Sequence, residues 1–292
     1  MLHGAITPLV TPFRAGALDT EALARLVEFQ IEHGSHGISV AGTTGEPTSL
    51  TPEERELLIE ATVRAARGRV PVLAGTGSVN HAETLRFTRF AREVGADAAL
   101  VIVPYYCRPS QQGLYEHFRS IAEAASGFPV MLYNIPGRSA VNLEPDTMAR
   151  LRRDCPNIFG VKEANTDFAQ ISQVLHRCGR DFAVFSGIEA LCYPMLALGG
   201  AGHVSATGNV LPRQVAALYD LCAEGRWDEA RDLHYDLLDM NEILFVETNP
   251  APVKAALGLM GLCSPELRPP LAQISAANME KLKGVMAKYG LL

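Results

Sequence analysis

"IFGVKEANTDF", residues 158–168, begins as an interior strand and ends on a charge. Ile158, Phe159 and Val161 are apolar with little alternation, so both faces of the run are suited to protein rather than to water. A strand covered on both faces belongs to a parallel sheet flanked by helices. Seven other runs have the same character: AITPLV (5–10), GISVAG (37–42), VPVLAG (70–75), AALVIVPYY (98–106), PVMLYNI (129–135), FAVFSGI (182–188) and GHVSATGN (202–209). Stretches of helical period separate them, such as DTEALARLVEFQIEHG and TPEERELLIEATVRAARG. The second opens with Thr51 as N-cap, Pro52 at the first helical position and Glu54 two residues on, a capping-box start. Eight strands alternating with helices predict an α/β chain folded as a closed (β/α)₈ TIM barrel. Residues 1–224 are assigned to the catalytic barrel. Residues 225–292, including RWDEARDLHYDLLDMNEILF and PAPVKAALGLMG, exceed what closure needs and are assigned to a helical C-terminal extension used for assembly.

Bulk properties narrow the function. The 292 residues are 48% hydrophobic and 20% charged, with a net charge of −6 and no basic cluster. Nothing in that balance suits nucleic acid or an anionic membrane surface. No apolar run is long enough to span a bilayer, and MLHGAITPLVTPF lacks the basic and apolar regions of a signal peptide. Six cysteines without a CxxC pair read as reduced thiols. A cytoplasmic location is expected.

In such barrels the C-terminal strand ends carry the chemistry. Among these ends the lysine is Lys162. Period-two alternation places it on one face with Gly160 and Ile158, opposite Val161 and Glu163, and Gly160 is expected to leave room for its side chain. Burial favours the neutral amine, and a neutral amine attacks a ketone to form a Schiff base. A strand-end lysine also serves to snorkel or to pair with a carboxylate, and the lysine alone leaves these open. Its companions point to chemistry. Tyr133 ends the preceding strand and offers a phenol for proton transfer. Thr43 and Thr44 lie in a glycine-flanked turn where hydroxyls and backbone N–H groups can receive a carboxylate. Together they describe a site for a small 2-oxo acid. Other chemistries fit less well. His33 and His36 lie three apart with no HExxH, Gly75-Thr76-Gly77 does not extend to GxGxxG, and neither a P-loop nor a GxSxG elbow occurs. No metal and no other cofactor is expected.

With these residues assembled, the chain resembles the dihydrodipicolinate synthase / N-acetylneuraminate lyase family of class I, pyruvate-dependent aldolases. The resemblance runs over essentially the whole length through AGTTGEPTSLTPEE, AGTGS, PYYCRPSQQGLYEHF, LYNIPGRS and GVKEANTD. It implies a barrel with C-terminal helices, assembled as a homotetramer of tight dimers and acting on small molecules, pyruvate and a carboxylate-bearing aldehyde. It also implies the roles. Lys162 would be the Schiff-base lysine, Tyr133 the general acid and base, and Thr43 and Tyr106 the other members of a proton relay, with Tyr106 lent by the partner subunit. Thr44 would bind the pyruvate carboxylate, and Gly187 and Val204 would line the pyruvate pocket through backbone groups. Arg138 matches the position that receives the aldehyde's carboxylate in the synthases, and the neuraminate lyases lack arginine there. A guanidinium fork suits a carboxylate. The implied reaction condenses pyruvate with L-aspartate 4-semialdehyde in lysine biosynthesis. The alternative is a catabolic aldolase releasing pyruvate from a 4-hydroxy-2-oxo acid or diacid. Departures from the family pattern are Ile188-Glu189 after the seventh strand and Cys107 beside Tyr106, the latter read as a small buried thiol.

Overall fold

The computed structural model describes residues 2–292. Eight parallel strands pair in chain order and close, the eighth hydrogen-bonding the first. They are β1 (Gly4–Pro8), β2 (Gly37–Val40), β3 (Val72–Gly75), β4 (Ala98–Ile102), β5 (Val130–Asn134), β6 (Ile158–Glu163), β7 (Ala183–Ser186) and β8 (Gly202–Val204). A helix follows each: α1 (Thr20–Glu32), α2 (Pro52–Ala66), α3 (His81–Glu93), α4 (Gln111–Ala124), α5 (Pro145–Asp154), α6 (Phe168–Cys178), α7 (Cys192–Ala197) and α8 (Pro212–Ala223). This is the (β/α)₈ TIM barrel expected from the apolar runs. A short hairpin, Phe13–Arg14 with Ala17–Leu18, interrupts the first loop and had no signal in the sequence pattern. Four more helices follow: α9 (Trp227–Asp236), α10 (Leu238–Ile243), α11 (Ala251–Leu259) and α12 (Ala276–Lys288). α11 is buried from Ala251 through Leu257, so it is an internal element and not an appendage.

Local chemistry accounts for the helix starts. At α2 the Thr51 hydroxyl accepts from the Glu54 N–H at 3.2 Å, and the Glu54 carboxylate accepts from the Thr51 N–H at 3.0 Å. Both orphan donors are satisfied, as the capping box requires. Asp19, Asn80, Ser110 and Asp167 cap α1, α3, α4 and α6 in the simpler one-way manner.

Two cores flank the strands. Ile6, Leu73, Leu100, Met131, Phe185 and Val204 fill the barrel interior. The outward residues of the same strands, such as Val40, Val101, Leu132 and Val161, pack against Leu26, Ile59, Phe118 and Leu151 of the helices. Side chains, not a channel, occupy the barrel's centre.

Two expectations about β6 need correction. Val130 pairs with Ile158 but Met131 pairs with Gly160, so Phe159 is an extra, bulged residue. The bulge breaks the period of two. Ile158 therefore packs outward with Val161, and Phe159 turns toward the interior cluster. Nor does Gly160 clear space for Lys162. A Cβ there would lie 2.2 Å from the Ala183 carbonyl oxygen, so that glycine permits the close approach of β7. The glycine that clears the lysine is Gly187, where a Cβ would stand 3.0 Å from Lys162 Cε and 2.9 Å from Ala164 Cβ.

Candidate active site

Strand register builds the centre of the site. Tyr133 of β5 and Lys162 of β6 are direct cross-strand partners at the C-terminal rim. Both are buried, at 4% and 6% exposure. The Nζ of Lys162 stands 4.3 Å from the centroid of the Tyr133 ring. Among the described residues it has neither a hydrogen-bond acceptor nor a carboxylate within ion-pair distance, which sets aside the snorkelling and ion-pair readings. Apart from that ring face, the amine is unengaged.

The end of β2 supplies the hydroxyls. Residues Thr43–Gly45 form one 3₁₀ turn, closed by Glu46 in the left-handed conformation (φ 52°, ψ 45°). The turn sets Thr43 Oγ1 3.4 Å from the Tyr133 hydroxyl. Thr44 is buried in the same turn, at 3% exposure. Thr43, Thr44, Tyr133 and Lys162 line one small cavity of about 50 Å³, with Gly187 and Val204 in its wall. Arg138 lies on a short helical turn, Pro136–Ser139, directly after β5. It is exposed at the rim and lines both this cavity and a larger one of about 510 Å³. Thr43, Tyr133 and Asn249 are likewise common to the two cavities, so the small chamber opens through them into the larger cleft.

A buried polar layer holds the rim from behind. Glu163, next to Lys162 but on the outer face, is fully buried. Its carboxylate accepts from Asn134 Nδ2 at 2.9 and 3.2 Å and from the Asn165 N–H at 3.0 Å. Asn134 also donates to Asn142, and its own oxygen accepts from the Leu143 N–H at 2.9 Å. Since Asn134 and Glu163 follow Tyr133 and Lys162, these bonds lock Tyr133 and Lys162 into register. Burial pushes the Glu163 carboxyl up to about 7, opposed by the hydrogen bonds from Asn134 and Asn165. Glu189 is a second acid at the site, accepting from the Ala206 N–H at 2.8 Å and Ser205 Oγ at 3.3 Å. Burial raises its pKa also, while those bonds and the charge of Lys162 act in the opposite sense.

Tyr106 stands apart from this cluster. It sits in the loop after β4 with φ +67° and is 90% exposed. Within one chain it reaches none of the other candidates. Cys107 is exposed, which corrects the expectation of a buried thiol: the left-handed Tyr106 and Arg108 on either side turn the loop outward. All six cysteines are free. Among the described residues, no three or more His, Cys, Asp or Glu side chains are grouped to hold a metal ion, and no helix is long and apolar enough to cross a membrane. Asn249, Ile135 and Phe245 also line the small cavity and were not anticipated. Asn249 carried a faint signal, the Asn-Pro break between two helical patterns. Ile135 and Phe245 had none beyond being apolar.

The chemistry available is therefore an unengaged amine, a phenol and hydroxyl beside it, a threonine turn and a cation at the mouth. A model for the Dihydrodipicolinate synthetase family matches residues 1–288. The chain belongs to that family. A 4-hydroxy-tetrahydrodipicolinate synthase from Thermus thermophilus is 50% identical over 292 residues, covering 100% of this chain and 98% of that protein. The crystal structure of dihydrodipicolinate synthase from Aquifex aeolicus superposes with a TM-score of 0.97 at 46% identity, covering 99% of this chain and 98% of that one. A dihydrodipicolinate synthase from Acinetobacter baumannii, described as chloride inhibited and complexed with pyruvate, is 36% identical with a TM-score of 0.97 and full coverage of both chains. The synthase-family barrel thus extends over the whole of this chain, extension included.

Proposed function

We propose that this chain is a 4-hydroxy-tetrahydrodipicolinate synthase, a Schiff-base lyase of lysine biosynthesis that joins pyruvate to L-aspartate 4-semialdehyde. The observation that carries the reading is Lys162, buried, unpaired and in register with Tyr133. Its amine attacks the ketone carbon of pyruvate, and loss of water gives the imine. Removal of a methyl proton gives an enamine, whose carbon forms the new bond to the aldehyde. The amine of the second substrate then displaces Lys162 and closes the ring, so that one water is released overall. Tyr133, with Thr43 at hydroxyl distance, serves the proton transfers. Thr44 takes the pyruvate carboxylate, backbone groups at Gly187 and Val204 wall the pocket, and Arg138 at the mouth takes the carboxylate of the aldehyde. The names of the curated relatives support synthesis over the catabolic alternative.

We also infer a cytoplasmic homotetramer built from tight dimers. The exposed aromatic ring of Tyr106 on a left-handed backbone supports a relay completed across a subunit boundary. Borohydride with pyruvate is expected to trap one adduct on Lys162, seen by peptide mass, and Lys162→Ala is expected to abolish it. Labelling of another lysine would overturn the mechanism. Steady-state comparison of aspartate semialdehyde condensation with cleavage of 4-hydroxy-2-oxo acids tests the direction.

A further inference from the structure

The helical extension grips the turn that carries Thr43 and Thr44 at two points. Asn249, in the loop between α10 and α11, donates from Nδ2 to Thr44 Oγ1 at 3.0 Å, with both side chains buried. On α11, Lys254 pairs with Glu46 at 2.5 Å, both side chains being inaccessible to solvent. The second carboxylate oxygen of Glu46 accepts from the Arg268 N–H at 3.3 Å. Lys254 is completed by the Glu266 carbonyl at 2.5 Å and by the Phe13 ring, whose centroid is 4.2 Å away. Glu46 is the left-handed residue that ends the turn, and a side chain keeps that backbone only where its surroundings hold it there. The ion pair does so.

The polarity of the Asn249 contact matters. A hydroxyl has one hydrogen to give and two lone pairs to offer. An amide nitrogen can only donate, so Asn249 occupies a lone pair of Thr44 and leaves the hydrogen for another acceptor. Among the described residues none takes that hydrogen. Both side chains line the small cavity beside Lys162. Asn249 Oδ1 is buried without a partner, so the bond to Thr44 is the amide's one attachment among the described residues.

We propose that Asn249 is a positioning residue for the pyruvate carboxylate, acting through Thr44 by turning that hydroxyl's hydrogen into the cavity. The Lys254–Glu46 pair holds the turn at the height where this works. This deepens the functional reading above and rests on it. Asn249→Ala is expected to raise the KM for pyruvate about tenfold or more, the loss of one oriented bond to a charged group, while kcat changes little. Thr44→Val should show a loss of similar kind, and adding Asn249→Ala to it should cost nothing further. Asn249→Asp, which offers only acceptors and adds a negative charge, should be worse than alanine. If the alanine variant does not fold, Asn249→Ser carries the same coupling measurement. An unchanged KM, or a loss that repeats in full in the Thr44→Val background, would overturn the inference. Borohydride trapping separates the two levels. A wild-type adduct on Lys162 with no coupling refutes the role of Asn249 alone, whereas no wild-type adduct refutes the site and this inference with it.

Discussion

Glu163 is a carboxyl placed where ionisation is costly, one residue beyond Lys162. Its folded pKa of about 7 lies above the ordinary 4.5, so the native state holds the proton more tightly than the unfolded chain does. Its contribution to stability is therefore full below 4.5 and is lost as pH rises toward 7. Relative to Glu163→Gln, the wild type is expected to lose up to about 3 kcal/mol across that interval and nothing more above it, measured by denaturant unfolding at stepped pH. A gap that does not move with pH would show a carboxylate ionised throughout. Arg138 tests the other end of the site. If Arg138 holds the carboxylate of the second substrate, removing that partner costs roughly 1.5–3 kcal/mol, so Arg138→Ala should weaken the second substrate about ten- to a hundredfold while the pyruvate adduct still forms. An unchanged affinity would place the anchor elsewhere. At this scale Lys162, Tyr133, Thr43 and Thr44 were readable because each sits at the end of an apolar strand or in a glycine turn. The acceptor role of Glu163 was not, because its side-chain donors, Asn134 at 2.9 Å and Gln170 at 3.4 Å, lie on other segments.

Between elements, contacts distant in sequence decide what periodicity misses. Alternation located β6 correctly but mis-assigned Ile158, since a bulge is set by the neighbouring strand's register and leaves no local mark. The same holds for α11. Its apolar run PAPVKAALGLMG announced a helix, and the lysine within it gave no sign of a buried partner on the β2 turn. Lys254→Met would leave the Glu46 carboxylate buried and unpaired, at a cost of about 3–5 kcal/mol. The loss should appear as a lower denaturation midpoint, and Glu46→Gln added to Lys254→Met should recover most of it. Failure to recover would mean that packing around the lysine stem, and not the charge, is what was lost.

On the scale of the whole molecule, eight apolar runs in helical alternation were enough to foresee a closed barrel. The hairpin at 13–18 and the inward packing of α11 were not legible, since neither is a matter of period. Tyr106, exposed on its loop, bears on assembly. Tyr106→Phe and Tyr133→Phe should each lower turnover at least about a hundredfold, as loss of proton transfer does. If the relay crosses a dimer boundary, mixing the two variants should restore about a quarter of wild-type activity, because half the dimers then carry one intact site. No recovery would show that the relay is confined to one chain. A last consequence follows from the contacts of Asn249 and Lys254, each joined to a residue more than 200 positions earlier. Synthesis delivers Thr44 and Glu46 long before their partners. A growing chain can close its ring of strands once β8 has emerged, yet the turn still lacks its grip. The barrel's shape and the placing of its threonine turn are thus encoded in separate stretches of the chain, the second downstream of the first.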